Sequence, residues 1–121
     1  MDSKKLILVV DDQQDILDVI EPTLSSQGYE TYCTVDPDEA LRYVETHEVA
    51  LLLTDVIMPG MSGLELAKQA SARNPQVKIL VMTGYSHTEV NRPVLHKPFR
   101  LADLVLHIRI ALDEAQERWT Q

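Results

Sequence analysis

Cysteine is almost absent from this sequence, which has a single one, Cys33, among 121 residues. One cysteine excludes an internal disulfide and fits a reducing compartment, so we interpret Cys33 as a small apolar strand residue. Long hydrophobic runs are also missing, and none approaches the roughly 20 residues that a membrane-spanning helix needs. The N-terminus is not typical of a signal peptide, because its apolar part, Leu6 to Val10, is short and acidic residues follow at once. We therefore expect a cytoplasmic protein whose domain makes no membrane contact.

Basic residues are outnumbered, since 11 Lys and Arg stand against 19 Asp and Glu, for a net charge of −8. A surface this acidic repels the phosphates of nucleic acids, so we expect no nucleic-acid partner, whereas a cation would be attracted. Internal repeats, low-complexity segments and linkers are missing as well. A hydrophobic content of 45% is ordinary for a folded chain of this length. We therefore predict a single domain over residues 1–121.

Apolar runs alternate with amphipathic segments along the chain. Strands are predicted at 5–10, 29–35, 49–55, 77–84 and 93–97, and helices at 15–27, 36–47, 62–74 and 101–119. Asp36, Pro37 and Glu39 form a strong helix start, whereas Pro22 is expected to kink or restrict the first helix. Strands that alternate with helices form right-handed βαβ units. The predicted fold is therefore α/β, a flavodoxin-like doubly wound parallel sheet of five strands in the order 2-1-3-4-5.

Five polar side chains fall at the carboxyl ends of the predicted strands. The first strand is followed by Asp11 and Asp12, and the other three side chains are Asp55, Thr83 and Lys97. In an open parallel sheet these ends share one edge, where functional groups gather. Taken singly, each residue has an ordinary explanation as a helix cap or turn residue, a β-branched strand residue or a surface lysine. Because all five fall at strand ends, we interpret them as one site.

Three carboxylates at one edge of the sheet repel one another. Two carboxylates about 4 Å apart repel by about 4 kcal/mol at an effective dielectric constant of 20. A cluster of three therefore requires a bound cation or raised pKa values. Carboxylate and carbonyl oxygens are the ligands that Mg²⁺ prefers. Such a site suits phosphoryl transfer, in which a carboxylate such as Asp55 can act as the nucleophile and form an aspartyl phosphate.

Four segments resemble, in order, the motifs of response-regulator receiver domains of two-component signalling. They are VVDD (9–12), LLLTDVIMPGMSGLEL (51–66), ILVMTGYS (79–86) and LHKPFRLADL (95–104). Each segment is weak alone, but the set is specific and covers nearly the whole chain. The resemblance is greatest to receivers of hybrid histidine kinases and to stand-alone receivers with a shortened fourth helix. It implies a domain that accepts a phosphoryl group from a histidine kinase or a histidine phosphotransfer protein, signals to a downstream protein and has no other enzymatic activity.

The resemblance also implies a role for each acidic residue. Asp55 is implied to be the phosphoacceptor, to which the phosphoryl group of a phosphohistidine is transferred. Asp12 and Asp55, with the backbone carbonyl of Ile57, are implied to bind Mg²⁺, for which Mn²⁺ can substitute. Asp11 is implied to belong to the same metal site by orienting metal-bound water.

Further roles follow from the resemblance at the ends of the last two strands. Thr83 is implied to hydrogen-bond the transferred phosphoryl group, and Lys97 to pair with its oxygens. The peptide bond before Pro98 is implied to be cis, and we count Pro98 among the output residues. The kinase is implied to be recognised near the first helix and the loop after the fifth strand. A receiver within a membrane-bound hybrid kinase would be cytoplasmic but tethered.

The segment between the fourth and fifth predicted strands departs from the family pattern. Only 13 residues, 84–96, separate the threonine and the lysine of the expected site, about two helical turns fewer than in a typical receiver. We therefore expect the fourth helix to be shortened or replaced by a loop. Val94 stands where many receivers carry an aromatic switch residue. Our hypothesis is that the output is an order–disorder change in 84–93, which begins with Gly84 and Tyr85, instead of a rotamer change.

Two residues beside the expected site bear on how long a phosphoryl group would last. Ile57 and Tyr85 lie two positions after Asp55 and Thr83, and neither is an acid or an amide that could orient an attacking water. We therefore predict slow self-dephosphorylation.

Three other functions fit the pattern less well. A small phosphohydrolase with Asp55 as nucleophile usually needs an acid–base group soon after it, but 56–62 is VIMPGMS. A phosphate-independent binding scaffold has no need of the acids or of Lys97, which are all present. A flavin carrier of the same topology needs a hydroxyl- and glycine-rich phosphate loop after the first strand, where this sequence has DDQQD.

Overall fold

The computed structural model describes residues 4–84 and 92–112 of the chain. The elements in these residues, in chain order, are β1 Leu6–Val10, α1 Gln14–Ser26, β2 Glu30–Thr34, α2 Pro37–Thr46, β3 Leu51–Asp55, α3 Gly63–Arg73, β4 Lys78–Thr83, β5 Val94–His96 and α4 Leu101–Ala111. All neighbouring strands are parallel, and the sheet order is β2-β1-β3-β4-β5. The predicted α/β fold and strand order are therefore confirmed.

Two apolar cores lie on opposite faces of the sheet. Successive strand residues point to opposite faces, and helices cover both faces, so the central strands are apolar without alternation. One core joins Leu8, Val10 and Leu52 to residues of α2 and α3, and the other joins Ile7, Val9 and Leu53 to residues of α1 and α4. Every residue of β3 is buried, and Asp55 is its last residue. Asp55 therefore lies where the strand leaves the core.

Capping side chains and a glycine mark the ends of several helices. Asp36 and Ser62 each precede a helix and accept a backbone N–H of its first turn, at 2.9 and 3.2 Å. Gly28 follows α1 with a φ of 92°, a left-handed conformation that favours glycine. Pro22 is exposed within α1, and the helix continues past it to Ser26. These features fix where the chain turns back toward the next strand.

Some predictions fall wholly or partly outside the described residues. Tyr85 and most of the segment 84–93 are among them, and so is the predicted continuation of the last helix to residue 119. Of the residues described between β4 and β5, none lies in a helix, in agreement with a fourth receiver helix that is shortened or replaced by a loop. The prediction of one domain over 1–121 stays a prediction. No helix in 4–84 or 92–112 is both long and apolar enough to span a bilayer.

Candidate functional site

Asp11, Asp55 and Lys97 meet at the carboxyl edge of the sheet. Strands β1 and β3 are neighbours, so the residues at their carboxyl ends lie side by side. The Nζ of Lys97, which follows β5, lies 2.9 Å from Asp11 Oδ2 and 3.6 Å from Asp55 Oδ2. Asp11 is fully buried, and Asp55 is only 8% exposed. The lysine therefore bridges two carboxylates that have little access to solvent.

Asp12 is the third carboxylate of the cluster, and it is exposed. One carboxylate oxygen from each of Asp11, Asp12 and Asp55 lies within 4.8 Å of the others. Burial raises the pKa of the Asp55 carboxyl, and the charges of the other two aspartates raise it further, against the opposing effect of Lys97. When all groups are ionised, three carboxylates and one ammonium leave two negative charges uncompensated.

These residues fit a divalent cation such as Mg²⁺. A cluster of carboxylate oxygens is the donor set that a hard cation prefers, and two positive charges would balance the excess. Both oxygens of Asp11 already accept hydrogen bonds, Oδ1 from the Gln13 N–H at 2.9 Å and Oδ2 from Lys97. Within the described residues, no hydrogen bond occupies the Asp12 carboxylate. Asp12 and Asp55 therefore offer the more accessible oxygens, and their roles as metal ligands stay predictions.

The main chain around Asp55 is held by short contacts. Thr54 Oγ1 donates to the Asp55 carbonyl at 3.0 Å, and the Val56 N–H donates to the Met82 carbonyl at 2.9 Å. The Gly63 N–H donates to the Val56 carbonyl at 2.8 Å, and a Cβ on Gly63 would stand 1.8 Å from the Asp55 carbonyl oxygen. Only glycine lets α3 begin this close to the end of β3. Sequence reasoning missed this role, which the glycine of MSGLEL signals only weakly.

Thr83 and Lys97 are joined by their main chains. Thr83 is the buried last residue of β4, and its carbonyl accepts the Lys97 N–H at 2.8 Å. The Lys97–Pro98 peptide bond is cis, as the resemblance implied. The structure therefore places the threonine and the lysine at the edge occupied by the three aspartates, while their roles toward a phosphoryl group stay predictions.

The remaining predicted residues lie around this edge or outside the described residues. Ile57, two positions after Asp55, is 56% exposed, and the role of its carbonyl as a metal ligand stays a prediction. Gly84 is exposed, and Val94 is partly buried against the core that includes α2 and α3. Tyr85 lies outside the described residues. The output roles of Gly84, Val94 and Pro98 stay predictions.

An apolar groove of about 450 Å³ lies beside the carboxylates. Its lining residues come from α1, from the segment between β5 and α4 and from the first residue of α4, and they are Ile16, Val19, Ile20, Lys97, Pro98, Phe99 and Leu101. Val19 and Leu101 are 50% and 44% exposed, so the groove presents apolar surface to solvent. Lys97 lines the groove and also contacts Asp11 and Asp55, so the groove opens directly beside the carboxylate cluster.

Comparison with known proteins agrees with this geometry. The family described as response regulator receiver domain matches residues 7–109. The response regulator receiver protein CpdR of Brucella abortus (strain 2308) is 34% identical over 112 residues, which cover 86% of this chain and 93% of CpdR.

Two solved structures are also similar to this chain. A CheY-like receiver domain protein from Methanospirillum hungatei JF-1 aligns with a TM-score of 0.86 and 32% identity, over 96% of this chain and 99% of that one. TrrA of Thermotoga maritima, solved in complex with Mg²⁺ and BeF, aligns with a TM-score of 0.80 and 30% identity, over 88% of this chain and 98% of TrrA. With its sheet order and its carboxylate cluster, the chain belongs to the response regulator receiver domain family of two-component signalling.

Proposed function

We propose that this chain accepts a phosphoryl group on Asp55 from a phosphohistidine, in a reaction that requires Mg²⁺, and that the aspartyl phosphate alters its contact with a downstream protein. Members of the receiver family are signalling modules that bind Mg²⁺ at an acidic pocket and interact with histidine kinases or phosphotransfer proteins. The observation that carries the proposal is the cluster of Asp11, Asp12 and Asp55, with the Lys97 ammonium in contact with Asp11 and Asp55.

Asp55 is suited to be the nucleophile because its position is fixed. Phosphoryl transfer depends mainly on alignment and charge neutralisation, so a nucleophile on a rigid main chain avoids much of the cost of orientation. One Asp55 oxygen forms a bond to phosphorus while the bond between phosphorus and the imidazole nitrogen of the donor breaks. The leaving imidazole takes up a proton. The nearby Lys97 ammonium favours the ionised form of Asp55 that this attack needs.

The charges that arrive with the phosphoryl group need cations. Lys97 lies between Asp11 and Asp55, so it can contact a phosphoryl oxygen on Asp55 without leaving Asp11. Thr83 ends β4, the strand beside β3, and would donate a hydrogen bond to a phosphoryl oxygen at the same edge. A divalent ion held by Asp12 and Asp55, with Asp11 behind them, would supply charge neutralisation at the phosphoryl oxygens. Mn²⁺ accepts the same hard oxygen ligands and is expected to substitute.

The apolar groove between α1 and the β5–α4 segment is the proposed docking site for the phosphohistidine protein. Its exposed apolar side chains, Val19 and Leu101, suit the apolar face of a partner helix. Lys97 lines the groove and also contacts Asp55. A partner helix bound in the groove would therefore hold its phosphohistidine close to Asp55. The partner is therefore expected to be a histidine kinase or a histidine phosphotransfer protein that presents a helix.

The test is to incubate the protein with Mg²⁺ and acetyl phosphate and to measure its intact mass. We expect the wild type to gain one phosphoryl group, Asp55→Asn to gain none, and the exposed control Asp38→Asn to behave as the wild type. The melting temperature with Mg²⁺ and beryllofluoride gives a second readout that needs no transfer step. A wild type that neither gains the phosphoryl group nor shifts its melting temperature would overturn the proposal.

A further inference from the structure

A second polar cluster lies between the end of β2 and the first turn of α2. Glu39 on α2 accepts hydrogen bonds on both carboxylate oxygens, from Thr34 Oγ1 at 2.6 Å and from the Tyr32 hydroxyl. The hydrogen bond from Thr34 is the main cause that lowers the pKa of Glu39, followed by the bond from Tyr32. Its spacing after Asp36 suggested a helix cap, but in the structure its carboxylate instead binds hydroxyls of the strand. Glu39 therefore joins α2 to the end of β2.

Thr34 connects this cluster to the aspartates of the site. It is the buried last residue of β2, and its carbonyl accepts the Asp11 N–H at 3.3 Å, one residue beyond the end of β1. Its Oγ1 also accepts the Asp36 N–H at 3.1 Å. Three hydrogen bonds thus meet at Thr34, one to Glu39, one to Asp36 and one to Asp11. A displacement of Thr34 would therefore disturb its hydrogen bond to the Asp11 N–H, at the point where β1 leads into Asp11 and Asp12.

Asp12 has little else to fix its position. It is exposed, and no hydrogen bond holds its carboxylate within the described ranges 4–84 and 92–112. Its placement therefore depends on Asp11, whose N–H donates to the Thr34 carbonyl and whose carboxylate accepts the Gln13 N–H. Residues that orient metal ligands commonly contribute tenfold or more to metal affinity.

We propose that Glu39 is a positioning residue for the metal site, which holds Thr34 in place and so fixes Asp11 and Asp12 for the cation. This inference rests on the proposed function, because the metal site belongs to it. Glu39 itself is expected to contact neither the cation nor the phosphoryl group. The alternative is a purely structural role, in which Glu39 anchors the Tyr32 ring that stacks on Tyr43 with centroids 4.0 Å apart. That alternative predicts a loss of stability with no change in metal affinity.

Four variants separate these two roles, with the dissociation constant of Mg²⁺ alone measured by calorimetric titration. Thr34→Val and Glu39→Ala both break the Thr34–Glu39 hydrogen bond, and we expect each to weaken Mg²⁺ binding about tenfold. Tyr32→Phe removes only the other hydroxyl and is expected to bind Mg²⁺ within about twofold of the wild type. Glu39→Gln keeps an oxygen for Thr34 but loses the charge, and it is also expected to bind nearly as the wild type does.

Phosphorylation by acetyl phosphate gives a second readout. At saturating Mg²⁺ the rates of Thr34→Val and Glu39→Ala should return to within about twofold of the wild type, because the positioning role concerns the cation and not the chemistry. Unchanged Mg²⁺ affinity in Glu39→Ala overturns the inference, even if Thr34→Val fails to fold. Equal weakening in Glu39→Gln overturns it as well, since the charge and not the position would then be responsible. If the wild type itself binds no Mg²⁺, the proposed metal site is wrong and this inference with it.

Discussion

The ends of β1 and β3 lie side by side, yet the aspartates at these two ends are held in different ways. Asp55 ends a strand that is buried along its whole length, and main-chain contacts fix its backbone. Asp12 is exposed in the loop after β1 and depends on a short series of hydrogen bonds through Thr34. Asp55 is thus placed by packing and main-chain contacts at the end of β3, and Asp12 by hydrogen bonds of its neighbours.

This difference matches what each group has to do. A nucleophile for phosphoryl transfer gains from rigid alignment, because small displacements of the reacting atom are costly. Mg²⁺ demands near-octahedral geometry and keeps several waters, so Asp12 needs a well-placed main chain and a carboxylate that no other described residue occupies. Lys97 is the one cation that the described residues place between the two ends, and it contacts both Asp11 and Asp55.

The largest effect is expected from breaking the packed end, with Gly63→Ala. The new Cβ would stand 1.8 Å from the Asp55 carbonyl oxygen, so either α3 or the end of β3 must move. We expect a loss of about 3 kcal/mol or more in the free energy of unfolding, together with a large loss of phosphorylation. Urea unfolding and intact mass after acetyl phosphate treatment measure the two effects. Gly84→Ala is the matched control, because a Cβ there would meet nothing within 4 Å. A Gly63→Ala protein as stable and active as this control would refute the packing account.

Removing the shared cation, with Lys97→Met, is expected to have the next largest effect. Asp11 is fully buried, and the substitution would leave its carboxylate without its charged partner. Such losses cost about 3–5 kcal/mol for fully buried pairs, and the partly exposed lysine should lower this to about 2 kcal/mol. Added Mg²⁺ should restore part of the stability, because it replaces the lost positive charge. Thermal unfolding with and without Mg²⁺ measures this, and a variant that Mg²⁺ fails to stabilise would argue against a shared electrostatic role.

The sequence predicts which residues meet at the edge of the sheet better than it predicts the contacts that hold them there. The meeting of Asp11, Asp55 and Lys97 follows from the rule that parallel strands end at one edge, so it needs no knowledge of side-chain packing. The need for glycine at position 63 depends on how closely α3 approaches β3, which no local pattern encodes. Glu39 shows the same limit, because its spacing after Asp36 suggests a helix cap, while in the structure hydroxyls of β2 donate to its carboxylate. Sheet order and edge were predictable, whereas tertiary hydrogen bonds were not.

A smaller effect, of opposite sign, is expected for Asp55→Asn in the absence of Mg²⁺. Burial and the neighbouring aspartates raise the pKa of Asp55 in the folded protein. Ionisation of Asp55 therefore lowers the free energy of unfolding once the pH exceeds its pKa in the unfolded chain, about 3.9. The wild type should therefore be less stable than Asp55→Asn at pH 7, by roughly 1 kcal/mol, and this difference should disappear as the pH falls toward 3. Urea unfolding at several pH values measures it. If the wild type is the more stable protein at pH 7 without Mg²⁺, Lys97 outweighs burial and the sign is wrong.

The smallest expected effect concerns the lifetime of the phosphoryl group, through Ile57→Asn. The aliphatic side chain of Ile57 is 56% exposed two positions after Asp55, and it can neither accept nor donate a hydrogen bond. An amide at this place could orient a water for attack on phosphorus, which we expect to speed phosphoryl loss about fivefold, or roughly 1 kcal/mol in activation free energy. Ile57→Val is the control, since it stays aliphatic. The decay of the phosphorylated mass after removal of acetyl phosphate measures both rates. Equal decay in Ile57→Asn and Ile57→Val would mean that this position does not control access of water, and the lifetime would then depend on other residues at the edge.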